Sequence, residues 1–266
     1  MPACLTRTDT MNRKYRKTVI AANWKMNLLP SDVKPFAERL RAAAGKVKFC
    51  DIVICTPAIM IPAAVKAFRD TRIAIGAQDV SAHTAGAYTG EISAAQIRDA
   101  GAKYVIIGHS ECRQCHGDTD GVINEKIKLS LDAGLIPIVC VGETLHQREA
   151  GISLDVVHVQ LRSALHGIPA DKVRKLILAY EPIWAIGTGV TAAPEQAEEV
   201  CREMRAVIRA AYDARTARAV TIQYGGSMTP ANSAELLAQP DIDGGLIGGA
   251  SLDCEKFLAI INSANQ

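Results

Sequence analysis

Short apolar runs alternate with longer amphipathic stretches along almost the whole chain. Runs of this length and composition are typical of strands buried on both faces, as in a parallel sheet. Eight such runs with helical stretches between them predict an α/β fold, a closed eight-stranded parallel (β/α)8 barrel. A doubly wound open sheet is the alternative architecture. The runs span residues 19–22, 52–55, 73–77, 104–107, 136–141, 176–180, 220–224 and 246–247.

The stretch before the seventh run shows the helical pattern clearly. Its apolar side chains recur at the spacing of one helix face. We therefore expect a helix that lies over the sheet, with Arg205 among the charged residues of the opposite face. The apolar face comprises Ala197, Val200, Cys201, Met204, Val207, Ile208 and Ala211.

The length of 266 residues suits one α/β barrel, since such barrels contain about 250 residues. No linker rich in Pro, Gly or Ser divides the chain. We predict a single domain over residues 17–266. Residues 1–16 are polar and basic without an apolar core, so we expect a disordered extension, with Met11 as an alternative start.

The charge pattern narrows the range of partners. The net charge is +2, and both signs are interspersed without a basic stripe. Nucleic acid and membrane surfaces are therefore poor candidates for partners. No secretory signal is recognisable, and no apolar run is long enough to span a bilayer. We expect a soluble, cytoplasmic protein.

The eight cysteines are scattered along the chain, which in a reducing compartment predicts free thiols. Cys112, Cys115 and His116 form a C-x-x-C-H spacing. This spacing occurs in c-type haem attachment, and C-x-x-C also occurs in redox and zinc sites. No export signal or second C-x-x-C pair accompanies it. We interpret the spacing as coincidental and expect no metal or cofactor.

Chemically useful side chains follow several of the apolar runs. In a parallel barrel the carboxyl ends of the strands meet at one rim, where active sites are built. Asn23 and Lys25 follow the first run, His109 and Glu111 follow the fourth, and Glu181 follows the sixth. An amide, an ammonium group, an imidazole and a carboxylate are therefore predicted to converge on one rim.

The segment after Glu181 has the composition of a mobile lid. Pro182 fixes its own φ and disfavours helix at Glu181, whereas Gly187 and Gly189 allow unusual backbone angles. A stiff start, an apolar body and a glycine tip predict a loop that closes over a site. The predicted lid comprises Pro182, Ile183, Trp184, Ala185, Ile186, Gly187, Thr188 and Gly189.

Glycine pairs follow the last two runs. Gly225 and Gly226 precede Ser227, and Gly248 and Gly249 precede a short stretch of small residues. Exposed backbone N–H groups in such turns bind anions without a charged side chain. Because barrels of this type often hold phosphate after strands seven and eight, the pattern predicts a phosphate site.

Taken together, these motifs resemble the signatures of the triosephosphate isomerase family, whose fold is the TIM barrel. The resemblance extends from about residue 17 to the end of the chain. The matching segments are Asn-Trp-Lys-Met-Asn at 23–27, Gly-His-Ser-Glu at 108–111, Tyr-Glu-Pro-Ile-Trp-Ala-Ile-Gly-Thr-Gly at 180–189, Tyr-Gly-Gly-Ser at 224–227 and Gly-Gly-Ala-Ser at 248–251.

The resemblance implies interconversion of dihydroxyacetone phosphate and glyceraldehyde 3-phosphate through an enediolate, with no cofactor. Glu181 would be the base, and Lys25 would supply positive potential. His109, as neutral imidazole, would polarise the carbonyl and shuttle protons between the oxygens. Asn23 would donate to the developing oxyanion, and Glu111 would orient Lys25. The substrate phosphate would be held by backbone N–H groups of Gly187, Ser227, Gly248 and Gly249.

The resemblance also implies a homodimer in which the loop from Gln78 to Glu91 enters a partner pocket. Cys112 stands where arginine is common, Cys115 where an aromatic residue is common, and Asp118 where glutamate is frequent. We expect these departures to weaken the dimer and to make it sensitive to thiol reagents. The interface candidates are Met26, Gln78, Thr89, Gly90, Glu91, Cys112, Arg113 and Cys115.

Two alternatives stay open at the level of sequence. A paralogue acting on another short ketose phosphate, such as a tetrulose phosphate, would need the same phosphate site and acid–base pair. A non-catalytic phosphate binder, or a haem or redox protein using Cys112 to His116, would not need Glu181.

Overall fold

Eight parallel strands form a closed barrel in the computed structural model, which describes residues 15–186 and 191–265. Each strand pairs with its neighbours in sequence, and β1 pairs with β8. The predicted closed parallel barrel is confirmed, and the open sheet is excluded. The strands are β1 (Val19–Asn23), β2 (Asp51–Thr56), β3 (Ala74–Ala77), β4 (Tyr104–Ile107), β5 (Ile136–Val141), β6 (Ile177–Tyr180), β7 (Thr221–Tyr224) and β8 (Gly244–Ile247).

Helices follow the strands and surround the barrel. They are α1 (Val33–Ala44), α2 (Ile61–Ala67), α3 (Ala94–Asp99), α4 (Asp120–Asp132), α5 (Leu145–Glu149), α6 (Ser153–Ala164), α7 (Ala170–Val173), α8 (Pro194–Ala211), α9 (Ala214–Ala219), α10 (Ser233–Leu237) and α11 (Cys254–Ser263). Short 3-10 turns occupy Pro30–Asp32, Ala58–Met60, Ile183–Ala185 and Gly249–Leu252, and a π-helix occupies Cys112–His116.

The strands are buried on both faces, which explains their continuous apolar sequence. Because side chains alternate across a strand, Ile138 and Cys140 of β5 belong to the core inside the barrel. Val139 and Val141 belong instead to the layer beneath the helices. Each strand therefore contributes to two cores at once, and a polar substitution on either face would be buried.

The start of β8 differs from the apolar run that predicted it. The strand begins at Gly244, two residues before the run at 246–247. Glycine has low strand propensity and no side chain to pack, so the sequence pattern missed these positions. The structure gives the reason for glycine: a Cβ atom on Gly244 would lie 1.9 Å from the carbonyl oxygen of Val19 on β1. The close approach of β8 to β1, where the barrel closes, therefore requires a residue without a Cβ atom at position 244.

Two details of α8 also differ from the prediction. Ala211 is exposed at the end of the helix. Arg205, expected among the charged residues of the outer face, is buried. Its guanidinium donates to Asp241, to Asp243 and to the carbonyl oxygens at the end of α9 and before β7. The sequence pattern placed Arg205 on the exposed face because of its charge. Its carboxylate partners Asp241 and Asp243 come from a loop that only the tertiary fold brings to α8.

The barrel packs against residues that precede the predicted domain boundary. Arg16 is buried, and its Nε donates to Oδ1 of Asp243 at 2.6 Å. The division into an extension of residues 1–16 and a barrel of 17–266 stays a prediction, because residues 1–14 lie outside the described part. Within that part, no helix is long and apolar enough to cross a membrane. Its seven cysteines are free thiols.

The buried network around Asp243 generates a stability prediction. Arg205→Met would leave Asp241 and Asp243 without a cationic partner from α8. We expect a loss of about 3–5 kcal/mol in the free energy of unfolding, as is usual when one partner of a buried ion pair is removed. Urea denaturation at one fixed protein concentration measures the change.

Arg202 on the same helix provides the matched control, because its side chain is 60% exposed. Arg202→Met should change the unfolding free energy by no more than about 0.5 kcal/mol. Equal effects of the two substitutions would contradict a special contribution of the Arg205 network.

Candidate active site

The predicted catalytic side chains converge at the carboxyl ends of the strands. Asn23 ends β1, Lys25 follows it, His109 follows β4 and Glu181 follows β6. All four line one cavity of about 420 Å³, together with the glycine turns after β7 and β8. The volume suits a small molecule, since ligand pockets measure about 300–1,000 Å³.

Glu181 is held rigidly at the bottom of this cavity. Its backbone N–H donates to Val141 on β5 at 2.8 Å, and its side chain is only 2% exposed. Oε2 accepts a hydrogen bond from the backbone N–H of Ser110 at 2.9 Å. Oε1 lies 3.0 Å from Nε2 of His109 but accepts no hydrogen bond of good geometry from the described residues. A buried carboxylate oxygen without such a partner is costly in a folded protein, so its lone pair is available for chemistry.

The hydrogen bonds of His109 define its tautomer. Its Nδ1 accepts from the backbone N–H of Glu111 at 3.2 Å, so Nδ1 presents a lone pair and Nε2 carries the hydrogen. The ring is buried against the cavity, with Nε2 on the side of Glu181. The imidazole therefore presents an N–H donor to any ligand beside Glu181.

Lys25 is fixed by three contacts. Its Nζ donates to Oε1 of Glu111 at 2.7 Å, its backbone N–H donates to Oδ1 of Asn23, and its carbonyl oxygen accepts from Nε2 of Gln78. Its backbone has a φ of 50°, which is uncommon for a residue with a side chain and often marks functional sites. Because Oδ1 of Asn23 is occupied, its amide N–H groups are the ones left for the cavity. Glu111 supports the site without lining the cavity.

The glycine turns present backbone rather than side chains to the cavity. Ser227, Gly248 and Gly249 all line it, and a 3-10 turn begins at Gly249. A Cβ atom on Gly249 would meet no atom of residues 15–186 or 191–265 within 4 Å, its chain neighbours aside. Packing within the protein therefore does not require glycine there, whereas close approach of a ligand to the backbone would. Gly187 lies outside the described residues.

The first half of the predicted lid is anchored to a buried carboxylate that sequence reasoning missed. Glu143 follows β5 and is fully buried. Its Oε1 accepts from Nε1 of Trp184 at 2.9 Å and from the hydroxyl of Tyr180 at 3.1 Å, and Arg148 pairs with it at 3.3 Å. Burial and this carboxylate raise the pKa of Tyr180, which keeps its hydroxyl protonated as a donor. The position of Glu143 directly after β5 was the sequence signal that could have identified it.

The lid segment from Pro182 to Ile186 is described, with a 3-10 turn at Ile183–Ala185. Ile186 reaches the rim of the cavity. Gly187, Thr188 and Gly189, which form the predicted tip, lie outside the described residues. The structure therefore describes the first part of the predicted lid and its hydrogen bond to Glu143.

Two further neighbours of Glu181 carried no sequence signal. The thiol of Cys140 on β5 is a buried neighbour of the Glu181 side chain, and burial together with that carboxylate raises the pKa of the thiol. Gly142 approaches the Glu181 backbone so closely that a Cβ atom would lie 1.7 Å from the Glu181 carbonyl oxygen. Both residues lie at the end of β5, and their importance depends on the packing of β5 against β6.

The predicted interface residues occupy one side of the same rim. Met26 is 97% exposed, and residues 83–91, which include Thr89, Gly90 and Glu91, form an exposed loop. Gln78 bonds Lys25 within the chain. The other candidates lie on the π-helix after β4.

The three π-helix candidates differ in exposure. Cys112 is buried, Cys115 is exposed, and Arg113 is half-buried. Arg113 forms an ion pair with Asp120 at 2.6 Å. Two of these three side chains are therefore engaged within the subunit.

A larger cavity of about 580 Å³ lies at the opposite end of the barrel. It is bordered by strand starts such as Val19 and Thr221 and by the charged Lys17, Asp51 and Arg174. Among the described residues that line it there is no imidazole to pair with a carboxylate. Since barrel chemistry occurs at the carboxyl ends of strands, the smaller cavity is the candidate active site.

Comparison with known proteins agrees with this geometry. A family model described as triosephosphate isomerase matches residues 18–264. Three relatives, each named triosephosphate isomerase, match nearly their full length. The protein of Moorella thermoacetica is 48% identical over 93% of this chain and 98% of its own, and that of Carboxydothermus hydrogenoformans is 46% identical over 94% and 99%. The protein of Herminiimonas arsenicoxydans is 49% identical over 94% of this chain and 100% of its own.

The match includes all eight strands and every strand end that lines the smaller cavity. The chain belongs to the triosephosphate isomerase family.

Proposed function

We propose that this chain is a triosephosphate isomerase, which interconverts dihydroxyacetone phosphate and D-glyceraldehyde 3-phosphate by proton transfer. One observation supports the proposal above the others. Oε1 of Glu181, which accepts no aligned hydrogen bond from the described residues, lies 3.0 Å from Nε2 of His109 in a cavity bordered by glycine turns. A base beside a hydrogen-bond donor, within reach of a phosphate site, suits proton abstraction next to a carbonyl.

Glu181 is the proposed base. It removes the proton from the carbon beside the carbonyl, the C–H electron pair forms the enediolate double bond, and the carbonyl oxygen takes the negative charge. The hydroxyl oxygen on the first carbon then passes its proton to the former carbonyl oxygen, with His109 as the proposed shuttle, and the negative charge moves between the two oxygens. Glu181 finally returns its proton to the neighbouring carbon while the first carbon becomes the new carbonyl, which completes the exchange of aldehyde and ketone. Burial of the carboxylate supports this role, because exclusion of water prevents loss of the intermediate.

His109 and Asn23 are the proposed donors to the enediolate oxygens. His109 presents N–H at Nε2 because its Nδ1 accepts from the Glu111 backbone. Asn23 has its amide oxygen engaged by Lys25 and its N–H groups free for the cavity. Donors fixed in advance of the reaction stabilise the developing negative charge without reorganisation.

Lys25 supplies positive potential on the same rim, and Glu111 orients it through their 2.7 Å contact. Backbone N–H groups of Ser227, Gly248 and Gly249 are proposed to hold the substrate phosphate. Gly187 would join them when the lid closes. This arrangement would couple phosphate binding to the exclusion of water from Glu181. The proposed chemistry is proton transfer alone and requires neither a metal nor an organic cofactor.

The relatives are named triosephosphate isomerase, and that reaction suits a glycolytic enzyme. We propose that this chain acts in glycolysis in the cytoplasm. The seven free thiols of the described residues suit a reducing compartment. Neither a nucleic acid nor a membrane is proposed as a partner, since the net charge of +2 carries no basic stripe.

A homodimer is the proposed assembly. Met26 and the loop of residues 83–91 would be exposed apolar and polar surface in a monomer. Tyr88 in that loop is 42% exposed and stacks on His83, which stiffens the loop for insertion into a partner. Cys112, Cys115 and Asp118 are proposed to weaken the interface compared with other members of the family.

The function is tested by initial rates with glyceraldehyde 3-phosphate and with a tetrulose phosphate. The proposal expects the larger kcat/KM for the triose phosphate. A larger value for the tetrulose phosphate would reassign the substrate while keeping the acid–base pair. Absence of turnover with both would contradict the proposed function.

Glu181→Gln keeps the size of the side chain and removes the base. We expect kcat to fall by about 10²–10⁴-fold, the usual contribution of general base catalysis, with a much smaller change in KM. Rates of glyceraldehyde 3-phosphate consumption measure it. Glu199→Gln, on the exposed face of α8, is the control and should retain full activity. An undiminished kcat in Glu181→Gln would exclude the proposed base.

Trp184→Phe keeps an aromatic ring and removes the indole N–H that bonds Glu143. Hydrogen bonds to charged groups contribute about 1.5–3 kcal/mol, so we expect kcat/KM to fall about tenfold or more if the anchor assists lid closure. Tyr212→Phe removes another partly buried donor, one that bonds the carbonyl oxygens of Leu165 and Ile168 away from the lid, and should leave kcat/KM unchanged. A Trp184→Phe enzyme that loses stability but keeps its kcat/KM would show that the anchor is only structural.

Light scattering across a dilution series tests the weakened dimer. We expect dissociation to monomers on dilution towards nanomolar concentration, and Met26→Glu should shift dissociation to higher protein concentration because it places charge in the interface. Leu145→Glu, which changes an exposed leucine on α5, is the control. A dimer that persists unchanged at nanomolar concentration would contradict weakening, and a monomer at every concentration would contradict the dimer.

A further inference from the structure

Three side chains of different ligand types converge beside the π-helix that follows β4. They are the carboxylate of Asp79, the thiol of Cys112 and the imidazole of His116. One potential ligand atom from each lies within 4.8 Å of the others. The proposed isomerase chemistry uses none of the three, and two of them belong to the C-x-x-C-H spacing.

The local structure explains the convergence. Cys112 and His116 are the first and last residues of the π-helix, and residues four apart lie on the same side of a helix. Gly117, with a φ of 75°, ends the π-helix immediately after His116. Asp79 comes from the loop after β3. The loop after β3 thus supplies one potential ligand, and the π-helix after the adjacent strand β4 supplies two. Cys115 is exposed and does not belong to this cluster.

Nearby charges favour a divalent cation. Lys126 of α4 pairs with Asp79 at 2.8 Å and with Asp118 at 2.7 Å, so two carboxylates face one ammonium group. This leaves one surplus negative charge, and a thiolate at Cys112 would make it two. A divalent ion would balance the cluster. Each carboxylate has about four lone-pair positions, so Asp79 can accept from Lys126 and also bind an ion.

The donor set selects the kind of metal. Thiolate, imidazole and carboxylate are the ligands of zinc, and sulfur disfavours magnesium and calcium. Zinc bonds of about 2.0–2.3 Å place tetrahedral ligands about 3.3–3.8 Å apart. The observed limit of 4.8 Å would contract by about 1 Å, which the exposed His116 side chain can supply by rotation.

We propose that Asp79, Cys112 and His116 form a binding site for a divalent transition metal ion of the zinc type. Water completes the fourth position at the exposed side of His116. The bound ion links the loop after β3 to the π-helix after β4 and stabilises both segments.

Binding at this site displaces the proton of Cys112. Burial and the carboxylates of Asp79 and Asp118 raise the pKa of that thiol to about 12, while Lys126 acts in the opposite direction and Glu181 adds negative charge from the end of β6. One proton is released for each ion bound.

Cobalt(II) titration of the whole protein, after dialysis against a chelator, tests the site. We expect one ion per chain and a thiolate-to-cobalt charge-transfer absorption in the near ultraviolet, which added Zn²⁺ abolishes. Zn²⁺ should also raise the Tm of the wild-type protein. These readouts are independent of isomerase activity, so they succeed or fail separately from the proposed function.

Three variants locate the ligands. Cys112→Ser should lose the charge-transfer absorption, and His116→Asn should bind cobalt more weakly by at least about 10–100-fold, the cost of losing even an outer partner of a metal site. Cys115→Ser removes the exposed neighbouring thiol and should retain both the absorption and the Tm increase. Because His116 is exposed, His116→Asn should keep the fold even if Cys112→Ser does not, and circular dichroism checks each variant.

Three outcomes would overturn the proposal. The first is cobalt binding that occurs only at cobalt concentrations far above the protein concentration and gives no charge-transfer band. The second is a band that survives in a folded Cys112→Ser protein or disappears in Cys115→Ser, which would assign the metal to another thiol. The third is unchanged affinity in a folded His116→Asn protein.

Discussion

The parallel hydrogen-bond ladder between β1 and β8 closes the barrel and thereby positions the candidate active site. Closure brings the carboxyl ends of all eight strands to one rim, so side chains far apart in sequence share one cavity. It also requires β8 to pass so close to β1 that only glycine fits at position 244. Gly244, which has no side chain, therefore helps to decide whether Asn23, His109 and Glu181 can meet.

Two buried carboxylates on neighbouring strand ends have similar hydrogen bonding but different surroundings. Oε1 of Glu143 accepts from Trp184 and Tyr180 and pairs with Arg148, which suits a fixed anchor for the lid. Each glutamate also has one oxygen without an aligned donor among the described residues, Oε2 in Glu143 and Oε1 in Glu181. Only the free oxygen of Glu181 lies beside His109 at the candidate active-site cavity, which suits a group that must accept a proton. Residue type alone does not separate these roles, because both are glutamates at the mouth of the same barrel.

The fold class and the convergence of Asn23, Lys25, His109 and Glu181 on one cavity could be predicted from the sequence because each depends on a local pattern. Apolar runs of four to six residues mark strands buried on both faces, and polar residues directly after them mark the rim. Arg205 shows where such patterns fail. Its charge places it on the outer face of α8, yet Asp241 and Asp243 approach it from a distant loop and make burial favourable. Cys140 was missed for the same reason, since its partner Glu181 belongs to the next strand.

The closed barrel, the shared rim of Asn23, Lys25, His109 and Glu181, and the resemblance to one enzyme family could be predicted from the sequence alone. These follow from hydrophobic periodicity and from motifs read along the chain. Only the tertiary structure decided the tautomer of His109, the free oxygen of Glu181, the anchoring of Trp184 and the meeting of Asp79 with Cys112 and His116. The physical reason is that hydrogen bonds and ion pairs depend on distances of about 3 Å between residues remote in sequence, and the packed fold sets those distances.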